Sequence, residues 1–172
     1  MKTDTHNILH HWREAVPNDR MAHLIRDTER AFRRALQIRL AEHGVPFGHW
    51  SFLRILWEAD GLTQKELSSR AGVMEPTTFS AMKAMESLGY IVRKQLPTNK
   101  KNVYVHLTDS GRALKKVLVP LAEDTNRIST RNVSPADLAT ARKVLLSMID
   151  NLAADELSQV ELPRKKPAAQ AR

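Results

Sequence analysis

The chain contains no cysteine. That single absence removes disulfides, cysteine nucleophiles, thiolate-bound zinc and thiol redox sensing. Glycine is sparse at 6 residues, and none of these sit in a phosphate-cradling loop. There is also no nucleophile elbow and no His-Glu-x-x-His pair, so the common catalytic signatures are missing and an enzyme reading is set aside. No stretch approaches the roughly 20 apolar residues of a membrane-spanning helix. The N-terminus has no apolar run after its charges, as a secretory signal would require. A cytoplasmic protein without cofactor is expected.

What the sequence does have is positive charge. It carries 27 Lys and Arg against 19 Asp and Glu over 172 residues, for a net charge of +8. The isoelectric point is about 10.0. Such a balance speaks to partners rather than to fold, and a polyanion is the natural partner. Nucleic acid ranks first and an anionic membrane surface second. The remaining composition, 42% hydrophobic and 27% charged, is that of an ordinary globular domain.

Residues 1–18 read as a polar segment in which Ile8, Leu9 and Trp12 give one apolar side to a short helical turn. His6 and His10 would share a helix face, but only Asp4 adds a carboxylate near them and His11. A polar terminus is therefore favoured over a metal site, and no metal ligands are assigned. Asn18 and Asp19 then form an N-cap signal. Met21, Ile25, Phe32, Leu36 and Leu40 follow at the spacing of one helix face. Gly44 and Pro46 end that helix. A second helix is predicted from Phe47 to Ala59, with Phe52, Leu53, Leu56 and Trp57 inward, ended by Asp60-Gly61.

The pattern then tightens. Thr63 with Glu66 three residues on predicts a capping box over a short helix, Gln64–Arg70. Ala71-Gly72-Val73 is a turn. Pro76 suits the first turn of the next helix, which runs to Leu88 with Gly89 as its stop, and Met82, Met85 and Leu88 as its inner side. Tyr90–Leu96 and Val103–Leu107 read as two strands joined by a basic tip over residues 97–102. Thr108 caps a further helix with Leu114, Val117, Leu118, Leu121 and Ile128 on one face and a kink at Pro120. Ser134-Pro135 starts a last helix carrying Leu138, Val144, Leu145, Met148 and Leu152. From Leu162 onward the sequence is basic and reads as disordered.

Helix, short helix, tight turn, helix and hairpin, in that order, make a winged helix-turn-helix, mainly α with a small β wing. The helix after the turn begins with small hydroxyl residues, which bond phosphates or base edges from a helix start. Candidate DNA contacts are Thr63, Gln64, Pro76, Thr77, Thr78, Ser80 and Lys83 on the helices, and Arg93, Asn99, Lys100 and Lys101 on the wing. Phe79 reads as core, with contact to a thymine methyl as the other choice. Glu75 is an awkward neighbour for a polyanion. From Thr63 to Arg112 there are eight Lys and Arg against four Asp and Glu, so the segment has the sign that DNA binding requires.

The chain resembles the MarR (multiple antibiotic resistance regulator) family over roughly residues 19–151. The motifs that carry the likeness are Leu62-Thr63-Gln64-Lys65-Glu66-Leu67, Gly72-Val73, Leu88-Gly89-Tyr90-Ile91-Val92-Arg93, and Val105-His106-Leu107-Thr108-Asp109-Ser110-Gly111-Arg112. The resemblance implies a homodimer that holds double-stranded DNA at a pseudo-palindrome, commonly as a repressor. Independently, the outer helices carry more apolar residues than a small winged domain needs. The implied layout is a dimerisation helix at residues 19–46, the winged domain at 47–112, C-terminal dimerisation helices at 113–155 and a basic tail at 156–172.

The family's wing carries an Asp-x-Arg pair, and Asn99 and Lys101 stand at those positions here. The carboxylate–guanidinium brace is therefore replaced by a point charge on a flexible stem. The resemblance further implies release of DNA by a small anionic aromatic compound, or its thioester, between the dimer helices and the winged domain. Arg26, Arg30, Arg33, Phe47, His49, Trp50 and Phe52 are the candidates for such a site. The competing reading is a winged-helix architectural or protein-interaction module with no effector.

Overall fold

The computed structural model describes residues 3–14, 21–96 and 99–161, as two compact units, residues 1–129 and residues 130–172. The first unit contains α1 (Asp4–Glu14), α2 (Met21–Ala41), α3 (Phe47–Glu58), β1 (Leu62–Thr63), α4 (Gln64–Ala71), α5 (Glu75–Ser87), β2 (Ile91–Leu96), β3 (Asn99–Leu107) and α6 (Asp109–Ser129). The second is one helix, α7 (Pro135–Glu161). The mainly helical fold with a small sheet that the sequence predicts is what forms.

The core gathers around α3, which buries Trp50, Phe52, Leu53, Ile55 and Leu56. Leu36 and Leu40 of α2, Leu67 of α4, Met82 and Met85 of α5, Ile91, Val105, Leu107 and Leu118 complete it. Each of these helices buries one stripe at three- and four-residue spacing, as an amphipathic surface helix does. Gly111 shows how closely α6 is seated. A Cβ there would lie 2.0 Å from the Tyr90 carbonyl oxygen. The Gly111 carbonyl in turn accepts a 2.9 Å hydrogen bond from Trp57 Nε1.

The expected two-stranded wing has a third strand. β1 pairs antiparallel with β3, Leu62 opposite Val105 and Thr63 opposite Tyr104, giving the order β1-β3-β2. β2 and β3 pair from Ile91 opposite Leu107 to Leu96 opposite Asn99, with a register shift between Gln95 and Leu96. β3 therefore begins at Asn99, in the stretch read from sequence as the turn tip. Across that shift β2 advances one residue, from Gln95 to Leu96, while the partner position moves four, from Val103 to Asn99, and an irregularity of this kind bends and twists a hairpin.

Other expectations are adjusted. α1 spans eleven residues, and its Trp12 Nε1 donates to Asp27 Oδ2 of α2 at 3.2 Å. Asp4 pairs with Arg34 at 2.8 Å. The N-terminal polar residues thus build a helix laid on α2. The Asn18-Asp19 cap lies outside the described residues. α6 continues through Pro120, and of its predicted apolar face Leu118 is buried while Val117 and Ile128 are exposed. Leu88 is exposed too, because α5 ends at Ser87 and leaves it in the cap. α7 extends to Glu161, so residues 156–161 are helical where a tail was expected. The tail from Leu162 lies outside the described residues.

Candidate nucleic-acid interface

The geometry of the site starts with α4. Thr63 accepts from the backbone N–H of Glu66, and the Glu66 carboxylate accepts from the backbone N–H of Thr63 at 2.7 Å. The capping box is complete. Gly72, at φ 63°, closes α4 in the left-handed region that favours glycine. Its N–H bonds back to Ser69, and Val73 N–H to Ser68. Within this helix-turn-helix the hydroxyls of Ser68 and Thr78 share a 2.8 Å hydrogen bond out of solvent. Leu67 below and Met82 above are fully buried. The crossing of α4 and α5 is thus set by a packed apolar contact and one buried polar tie.

That packing settles which face of α5 is free. Thr78, Met82 and Met85 point into the core. Pro76, Ser80, Lys83 and Ser87, at intervals of four, three and four residues, form the opposite, exposed face. Thr77 is exposed on the flank. Among the predicted contacts, Pro76, Thr77, Ser80 and Lys83 therefore come together on one accessible helix. Thr78 is corrected: its side chain is fully buried against Ser68 and cannot reach a ligand without unpacking the motif. Thr63 is exhausted by the capping box. The Gln64 amide nitrogen is buried and has no hydrogen-bond partner, so it too faces inward.

Arg93 is placed differently from a free phosphate ligand. Its Nε and Nη2 donate to Glu86 Oε2 at 2.8 and 2.6 Å, and its backbone N–H donates to Glu86 Oε1 at 3.2 Å. The Arg93 guanidinium hydrogen bonds hold the Glu86 carboxyl below its usual range against the opposing effect of burial. The Arg93 guanidinium carbon lies 5.9 Å from the centre of the Phe79 ring. Phe79, read as core, is 53% exposed. A helical position one residue beyond Thr78 points about 100° away from the core, which is why a one-residue ambiguity exchanged the two roles. The backbones of Asn99, Lys100 and Lys101 lie in β3, and their side chains fall outside the described residues.

The wing is anchored at its base by Asp60, which accepts from the N–H groups of Gly61 at 3.0 Å and Leu107 at 2.9 Å. Arg112 Nη1 adds a 2.8 Å contact. Burial pushes the Asp60 carboxyl up, but those donors and the Arg112 charge outweigh it and hold it below the ordinary value. Sequence reading treated Asp60 only as a helix stop. Its partners lie 47 and 52 residues away, beyond any local pattern.

The predicted ligand residues divide. Arg33, Phe47 and Trp50 line one cleft of about 320 Å³ between α2, α3 and α6, with Phe32, Ser51, Arg54 and Thr125. Arg26 pairs with Asp27 at 3.3 Å, and Arg30 borders a separate depression beneath α1. Neither lines the main cleft. Phe52 is corrected to core, since it is buried on the side of α3 away from Arg54. His49 lines neither cleft; its Nδ1 is buried without a partner, and burial lowers its pKa. Arg54 and Ser51 were legible, because Arg54 follows Trp50 by one helical turn. Thr125 was not, as it arrives from α6.

Three strands, two crossed helices and a hairpin in this arrangement define a winged helix-turn-helix. The MarR family model matches residues 48–103, which lie within this winged helix-turn-helix. A curated relative, the HTH-type transcriptional regulator TtmR of Methylorubrum extorquens, is 35% identical over 85 residues, covering 49% of this chain. The match spans 44% of that regulator, less than half its length. A MarR-family regulator from Listeria monocytogenes, solved in complex with 26mer DNA, superposes with a TM-score of 0.71 at 23% identity. It covers 86% of this chain and 99% of that one. BpsR of Bordetella bronchiseptica, whose DNA binding is regulated by 6-hydroxynicotinic acid, superposes with a TM-score of 0.69 at 18% identity, covering 79% and 97%.

Proposed function

We propose that the chain is a homodimeric, sequence-specific DNA-binding transcriptional regulator, acting as a repressor that a small anionic aromatic ligand or its thioester releases from a pseudo-palindromic operator. The observation that carries the DNA-binding part is the exposed row Pro76, Ser80 and Lys83 on a helix whose other side is locked by Leu67, Met82 and the Ser68–Thr78 tie. A rigid helix with short polar side chains outward suits the major groove. Lys100 and Lys101 follow at the wing, where cations contact phosphate or the minor groove. The DNA complex of the Listeria fold relative supports this use of the same architecture. No described helix is long and apolar enough to cross a membrane.

The homodimer is supported by apolar side chains exposed on the outer helices: Met21, Leu24 and Ile25 of α2, and Leu145, Ile149 and Leu152 of α7. Exposed rows of this size are normally covered by another surface. The effector part is supported by the cleft itself, where Arg33 and Arg54 stand beside Phe32, Phe47 and Trp50. Cations next to aromatic faces fit an aromatic carboxylate. Ligand control of the BpsR fold relative is consistent with it. To regulate, the compound must bind more tightly to a conformation whose recognition helices do not match the groove spacing.

The test is binding of the purified chain to duplex DNA from its own upstream region over a salt series, with and without a panel of aromatic acids and thioesters. Tight, salt-sensitive binding to one palindrome, lost with one compound, is the expected result. Binding that ignores sequence would overturn the regulator reading in favour of an architectural protein.

A further inference from the structure

Phe79 is a large apolar side chain left exposed within the recognition helix, beside the polar row Pro76, Ser80 and Lys83, while the exposed Met74 and Leu88 lie at the helix caps. It is also held in place. Glu86, seven residues further along the same helix, takes both donors of one edge of Arg93, and the Arg93 guanidinium sits over the Phe79 ring. The backbone N–H of Arg93 is bonded to the same carboxylate. The chain therefore spends an arginine of the wing's first strand on orienting a phenyl ring, and the charge of that arginine is already neutralised by Glu86.

Resting on the DNA-binding reading above, we infer that Phe79 reads the 5-methyl group of a thymine in the major groove, and that Arg93 and Glu86 are positioning residues for its ring rather than phosphate contacts. A ring at the flank of α5 that faces the wing lies beside the exposed polar row, where a base edge would be presented. Thymine is the one base with an apolar group in that groove. A phenyl ring gains by desolvating that methyl and offers nothing to the polar edges of the other bases. Readout by Phe79 would then be separable from the salt-dependent contacts made by Lys83 and the wing lysines.

The experiment begins with selection of random-sequence duplexes by the full chain. Each thymine of the enriched site is then replaced singly by deoxyuridine, which removes only the methyl. Affinities are measured by fluorescence anisotropy at fixed salt for the wild type, Phe79→Ala, Phe79→Leu and Glu86→Gln. In the wild type, one thymine per half-site should show about a four-fold loss on demethylation, the worth of one buried methyl group. Phe79→Ala should bind thymine and uracil alike there, and Phe79→Leu should keep part of the difference. Glu86→Gln should shrink the ratio. Equal binding of thymine and uracil by the wild type at every position would overturn the inference, as would undiminished discrimination by Phe79→Ala. Failure to enrich any sequence would instead overturn the regulator reading, and this inference with it.

Discussion

At the scale of single residues, Thr63 and Thr78 look alike in sequence and do opposite things. Both precede or open a helix, and both are hydroxyl residues that a DNA surface could use. Thr63 spends its side chain on the N-terminus of α4 through the capping box with Glu66. Thr63→Ala should therefore cost about 1 kcal/mol of stability, the usual worth of an N-cap, seen as a lower urea midpoint. Retention of the full midpoint would mean that the cap contributes nothing. Thr78 is buried against Ser68. Thr78→Val keeps the volume and deletes the polar tie, while the Ser68 hydroxyl keeps the Gln64 carbonyl at 3.0 Å as an acceptor. The loss should accordingly stay near 1 kcal/mol instead of the larger penalty of an orphaned buried hydroxyl. A loss above about 3 kcal/mol would show that Ser68 is left unsatisfied.

At the scale of elements, what was legible is what local chemistry encodes. The capping box, the Gly72 turn and the β2–β3 hairpin each depend on residues within a few positions of one another. The first two form where the sequence placed them, and the hairpin forms with β3 starting at Asn99 rather than Val103. β1 was not legible, because two residues are too few to show a period. The full length of α1 was not legible either, since its ties to Asp27 and Arg34 are tertiary. On α3 the resemblance offered Phe47, Trp50 and Phe52 together; Phe47 and Trp50, three residues apart, line the cleft, whereas Phe52 shares their sequence neighbourhood without sharing their face.

Asp60 shows why such long-range ties matter to an element. It joins the end of α3, the last residue of β3 and the first turn of α6 through Leu107 and Arg112. Because its carboxyl is held below the ordinary value of about 3.9, its contribution to stability is present above that value. The contribution is lost as pH falls through the lower folded value. Urea midpoints of the wild type and Asp60→Asn should therefore differ at pH 7 and converge on acidification below about pH 4. A gap that stays constant with pH would mean that the carboxylate charge is not what anchors the wing.

At the scale of the whole molecule, the decisive quantity is how two winged domains are coupled. A single domain offers one short polar helix face and one wing. Its affinity for a half-site is limited by the few phosphates it can neutralise. Joining two domains turns the second contact into an intramolecular event, worth a factor of about 10²–10⁴ without any new contact. On the proposed reading α7 supplies part of that joint, through Leu145, Ile149 and Leu152, which lie at four- and three-residue spacing and are all exposed. Ile149→Glu places a charge in the middle of this row. Light scattering should report a monomer, and a thermal melt should still show a cooperative transition of the folded winged domain. Affinity for the palindrome should fall by about 100-fold or more. The slope of log affinity against log salt should fall to about half, because half the phosphate contacts are gone. The two readouts test different things: a variant that stays dimeric would remove α7 from the interface, whereas a monomer that keeps full affinity would show that a single winged domain reads the site alone.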